Sequence, residues 1–180
     1  MLNSQLEILE QGQNYLKLVS KPVYTAIISP NFMSCSGSHM RHIIDHYLAI
    51  ISGFPAGIIN YDLRLRGDPI EDHPELAMKK LTEISQWLQQ LSEQNINKTL
   101  LLSTEVSIIN KKVQTVQTTL ARELVFAASH AVHHYAMIGQ ISCAQNILLD
   151  PTFGLAPATA TFLRQQNSFN KNTAQLAAQN

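Results

Sequence analysis

The sequence predicts a mainly α chain in which a β-hairpin interrupts the run of helices. Three observations carry that expectation. Apolar residues recur at helical spacing in four separate stretches. A segment rich in β-branched residues, with partial two-residue alternation, lies between the third and fourth. Six of the seven histidines fall in two short clusters, each inside one helical stretch. At 180 residues the chain is long enough for one sizeable core and short for two.

The first helix is capped by Ser4 and carries Leu6, Leu9, Leu16 and Val19 at helical spacing, until Pro22 ends or kinks it. Residues 29–38 read as a loop. Ser36 or Ser38 starts a second helix, which runs from about His39 to Ser52 and is closed by Gly53 and Pro55. Residues 54–71 form a long loop of alternating charge, of the kind that is either functional or a solvated excursion. Asp72 caps a third helix, with Pro74 and Glu75 in its first turn; it reaches about Ser92 and buries Leu76, Leu81, Ile84, Leu88 and Leu91. His73 reads as a surface residue and Trp87 as a packing residue. The hairpin occupies about 99–118, turning at Asn110-Lys111-Lys112. Thr118 or Thr119 caps the fourth helix, which ends near 146–149 and has Glu123 in its first turn. A short C-terminal helix covers about Ala158 to Gln165, and the polar tail from Asn167 is expected to be mobile.

Composition excludes several classes. Thirteen basic and thirteen acidic residues balance, with no basic stripe, so nothing steers the chain to nucleic acid or an anionic membrane. No apolar run has membrane-spanning length. The N-terminus lacks the basic and apolar segments of a signal peptide, and two cysteines are too few for a disulfide framework. The expected location is the cytoplasm.

The chemistry sits in the histidines. On a helix, residues four apart lie ~40° from one another, so His130 and His134 share a face about 6 Å apart and can reach one ion. Their neighbours on that face, Glu123, Ala127, Met137 and Ile141, are mostly apolar, and unpaired buried imidazoles would cost on the order of 1–3 kcal/mol each. A third ligand is offered by His39, His42 or His46, which lie within ~60° of one another on the second helix. The competing reading is that the histidines are hydrogen-bonded packing residues in a metal-free bundle. There is no His-Glu-x-x-His helix, no Glu-x-x-His pair of di-iron bundles and no Cys-x-x-Cys. Ser129 adjoins His130 in sequence but points elsewhere.

Gly37-Ser38-His39-Met40-Arg41-His42 with Asp45-His46-Tyr47, followed by Ser129-His130-Ala131-Val132-His133-His134, resembles the DinB/YfiT-like superfamily of metal-binding four-helix bundles. The resemblance covers nearly the whole chain in architecture. It implies an antiparallel four-helix bundle over residues 1–166, with the hairpin inserted between helices 3 and 4, the short C-terminal helix closing one end, and a tail at 167–180. It implies a metal triad of His42, His130 and His134, with His46 the alternate for the first position. It implies Zn²⁺, with Ni²⁺ or Fe²⁺ as alternatives, and a small-molecule substrate such as a low-molecular-weight thiol in a thiol-S-transferase reaction. Asp45 and Glu123 are then candidates to orient imidazoles, and Arg41, Asp62, Arg64 and Arg66 to bind substrate. A homodimer is expected. The alternative is a non-catalytic metal-binding stress or sensor protein.

Overall fold

The computed structural model describes residues 1–63 and 67–177, with side chains through residue 167. The chain is mainly helical with a small sheet. Among the described residues seven helices and three strands follow in order: α1 (Leu2–Leu18), α2 (Lys21–Thr25), α3 (Ser36–Ala56), β1 (Ile58–Asn60), α4 (Pro74–Gln89), α5 (Glu93–Ile96), β2 (Thr99–Glu105), β3 (Val113–Thr119), α6 (Leu120–Ala144) and α7 (Pro157–Ala177). A 3-10 turn, Pro69–Glu71, precedes α4. Among the described residues no helix is long and apolar enough to cross a membrane.

Four helices, α1, α3, α4 and α6, pack pairwise: α3 lies on α4 and α6, and α1 lies on the same two. Leu9, Met40, Ile44, Tyr47, Ile84 and Leu124 are fully buried between them. Burial of an apolar side chain contributes ~1.5–3 kcal/mol, which is why the spacing of these residues dictates the packing faces.

α3 is longer than the sequence predicts. It begins at Ser36, where the Cys35 sulfur accepts the Ser38 amide, and runs past Gly53 and Pro55 to Ala56. Pro55 is tolerated because it lies in the last turn. The helix stops where Gly57 takes a φ of 76°, a conformation that costs glycine nothing. Its first turn lies directly against the 3-10 turn, and a Cβ at Gly37 would overlap the Glu71 carbonyl oxygen. Ser38 and Arg41 both donate to the Glu71 carboxylate and fasten that contact.

The hairpin forms as expected, with Leu102 opposite Val116. It is part of a three-stranded sheet, because Ile58–Asn60 pairs in parallel with Leu101–Ser103. The segment read as a loop over 54–71 therefore opens with a strand. Three residues show no periodicity, so only the partner strand reveals it. Two further boundaries shift: His73, not Asp72, is the N-cap of α4, and Ser92 starts the separate turn α5 through a capping box. α7 is a 21-residue helix rather than a short one. Its alanines and glutamines favour helix without any apolar stripe to signal it.

Candidate metal centre

Two helix faces bring the histidines together. α6 presents Ala127 and Ala131 on either side of His130, and these small buried residues let α3 come close. Four imidazoles meet on the α3–α6 seam. The ring of His42 lies 4.9 Å from that of His130 and 4.7 Å from that of His134. His46 lies 4.6 Å from His42 and 4.2 Å from His130. One ligand atom each of His42, His46 and His130 can be chosen so that all lie within 4.8 Å of one another. His134 completes the group, its Nε2 3.1 Å from His130 Nε2.

The rings of His46 and His134 have their remote nitrogens occupied. His46 Nδ1 donates to the His42 carbonyl, 2.9 Å away, which fixes the tautomer and leaves the Nε2 lone pair. His134 Nδ1 lies 2.9 Å from His39 Nδ1, and His39 Nε2 lies 2.9 Å from Ser34 Oγ. Backing of an imidazole by a second polar group is the usual support of a ligating histidine. His133 is exposed and touches His134 only edge-on. His73 bonds Lys21 and Glu75 at the surface.

Burial, then the charges of His130 and the neighbouring histidines, push the His134 pKa down to about 3. Burial also lowers His39, with His133 adding to it. Both rings are therefore neutral near pH 7 and present lone pairs. The sign of the pH dependence follows. Between about 3 and the ordinary value near 6.5, unfolded His134 binds a proton that the folded, metal-free protein does not. Stability is thus complete above 6.5 and falls as the pH drops toward 3. Urea midpoints of chelator-treated protein should decline across this window, and His134→Gln should flatten the decline. A profile unchanged by the substitution would contradict the assignment.

One wall of the cluster is aromatic. Phe126 lies 5.7 Å from His130 and 5.8 Å from His46, and Tyr61 lies 5.0 Å from His46. Sequence reading passed over Phe126, although it sits four residues before His130 and so shares its face. Behind Tyr61 is Glu123, fully buried. Its carboxylate accepts from the Tyr61 hydroxyl at 2.7 Å, from Arg122 at 2.8 Å and from Thr118. Glu123 was expected to orient an imidazole. Among the described contacts its bonds go to Tyr61, Thr118 and Arg122, and the Tyr61 ring lies 5.0 Å from that of His46. Burial and the Glu123 carboxylate raise the Tyr61 pKa, keeping the phenol a donor.

The other expected residues have structural partners. Arg41 spans Glu71 and Asp45, at 2.9 and 3.0 Å. Asp62 accepts from the Glu105 amide at 2.7 Å and ties the 58–62 segment to the end of β2. Arg64 and Arg66 lie outside the described residues.

Comparison with known proteins bears on the fold. No family model matches the chain. A DinB-like protein of Bacillus subtilis, YjoA, superposes with a TM-score of 0.56 at 15% identity, covering 83% of this chain and 94% of that one. A DinB-like protein of Bacillus cereus superposes with a TM-score of 0.54 at 11% identity, covering 81% and 91%. The fold is DinB-like. In sequence, FK506-binding protein 5 of Rhizopus delemar is 29% identical over 109 residues, 61% of this chain. The chain spans 28% of that protein's length. Within the DinB-like fold, the seam between α3 and α6 is where this sequence concentrates its histidines.

The donor set fits a divalent transition ion. It consists of imidazole nitrogens, which suit Zn²⁺, Ni²⁺ or Fe²⁺, and among the described residues the cluster contains no carboxylate of the kind that Ca²⁺ and Mg²⁺ require. Two nitrogens bound at 2.0–2.1 Å around one tetrahedral ion stand about 3.3 Å apart. The 3.1 Å between His130 and His134 is close to that separation.

Proposed function

We propose that the four-helix assembly acts as an antiparallel bundle holding one divalent ion, and that it is a metal-dependent enzyme acting on a small molecule, of the thiol-S-transferase type. The observation that carries this reading is the meeting of imidazoles from α3 and α6 on one seam of a DinB-like fold. His42, His130 and His134 are the proposed ligands, with His46 beside them as the alternate. A bound divalent ion supplies a Lewis-acid centre that lowers the pKa of a thiol or water.

The chain's own residues prepare the site. His39, backed by Ser34, holds the His134 ring in place. The His42 carbonyl does the same for His46. Phe126 and Tyr61 cover one side and keep water from it, while His42, His130 and His134 are only half-buried and face reachable space. Three ligands with one open position is the arrangement of a working site.

The fourth imidazole favours a second reading. If His46 joins the other three, the ion is closed off, and the protein is a non-catalytic metal-binding stress or sensor protein. Titration of the Co²⁺-loaded protein with cysteine or imidazole separates the two. The enzyme reading expects the visible spectrum to shift on addition. A spectrum indifferent to both would favour the closed site. A thiol-conjugation assay should then show a rate that disappears in His42→Ala; equal rates would sink the transferase.

A further inference from the structure

We propose that the outer edge of β3 pairs with the same edge of a second copy of this chain, joining two three-stranded sheets across a two-fold axis. The sheet order is β1-β2-β3, so β3 has one paired and one outer side. Backbone bonds define which residues face outward. The Val106 amide donates to the Lys112 carbonyl, and the Leu120 amide to the Lys98 carbonyl. Antiparallel pairing alternates, so Gln114, Val116 and Thr118 turn their backbone toward β2, and Val113, Thr115, Gln117 and Thr119 turn theirs outward.

Natural sheets blunt such an edge with charge, proline, a bulge or short length. β3 has none of these: Val113–Thr119 is seven residues, uncharged, without proline, and evenly paired with β2. The opposite edge strand, β1, is three residues and packs on α3. Row upon row of outward amides and carbonyls calls for an extended partner, as in strand addition.

A second copy fits best because the edge is self-complementary. An antiparallel two-fold through Val116 pairs Val113 with Thr119 and Thr115 with Gln117, using all four outward residues. Centring on Thr115 would use three. No pair sets like charges together, and the chain's net charge is zero, so two copies do not repel. Side chains agree. Val116 is 47% exposed although its neighbour on the same face, Leu102, is buried.

Sedimentation of the full chain through a dilution series tests this, with two designed variants. Thr115→Pro with Gln117→Pro removes two outward amides and none of the β2 bonds. Val116→Cys, made in a Cys143→Ser background, sets two thiols across the axis, about 4.5 Å apart at Cα and within disulfide range. We expect wild type at twice 20.1 kDa, dimerisation weakened on the order of 100-fold in the folded proline variant, and an oxidised dimer of Val116→Cys. A wild type that stays at 20.1 kDa throughout, a dimer that survives in the folded proline variant, or a Val116→Cys that does not cross-link would each overturn the proposal. If the proline variant misfolds, the cross-link decides alone.

Discussion

Glu123→Leu is expected to lower the unfolding free energy by about 2–4 kcal/mol, the largest single-residue stability loss outside the apolar core. The carboxylate is fully buried and accepts hydrogen bonds from three side chains of different elements: Tyr61 after β1, Thr118 in β3 and Arg122 in α6. Leucine fills the volume but leaves the buried Tyr61 hydroxyl without its acceptor. Arg122 loses less, because its guanidinium already meets solvent. Glu123→Gln keeps the shape and one acceptor, so its cost should be roughly half. For a chain of this size the leucine variant should melt about 6–12 °C lower. A double-mutant cycle with Tyr61→Phe should return a coupling of about 1.5–3 kcal/mol, the worth of a hydrogen bond to a charged group. Additive losses would show that Glu123 does not act through Tyr61. Because Tyr61 lies against His46, the leucine variant should also loosen the aromatic wall of the histidine cluster.

His42→Ala is expected to abolish the stabilisation that a divalent ion gives. An ion that binds only the folded chain adds RT ln(1 + [L]/Kd), about 4 kcal/mol at a thousand times Kd. Wild type should therefore melt higher in the presence of Zn²⁺ and return on chelation. His42 lies within ring contact of His46, His130 and His134, so its loss removes the one ring of α3 that touches both α6 histidines and is the proposed α3 ligand. The variant should keep its metal-free melting temperature, since His42 is only half-buried, and show no response to Zn²⁺. A Zn²⁺-induced rise of wild-type size in His42→Ala would place the binding elsewhere.

Much of this was legible in the sequence, for reasons particular residues make plain. The i, i+4 spacing of His130 and His134 fixes a shared face on any helix, and the three histidines at 39, 42 and 46 do the same for the facing helix. The alternation of Val113 to Thr119 marked the hairpin. Contacts distant along the chain were not legible. Nothing in Ile58-Ile59-Asn60 signals a strand until Leu101 to Ser103 lies beside it. Glu123 in a first helical turn reads as a dipole partner, whereas its hydroxyl partner is 62 positions away. Sequence spacing puts His42 and His46 one turn apart on the same face without choosing between them, and only folded geometry shows the support of each ring: a carbonyl on the same helix for His46, and His39 for His134.

Elemental analysis of protein purified without affinity tag or chelator tests the metal centre most directly. The set is wild type, His42→Ala, His130→Ala, His134→Ala and His46→Ala. The expected result is about one divalent ion per chain in wild type and His46→Ala, and close to none in the other three. No ion in wild type after incubation with Zn²⁺, Ni²⁺ and Fe²⁺, or an undiminished ion in His42→Ala, would contradict a metal role for the α3–α6 seam.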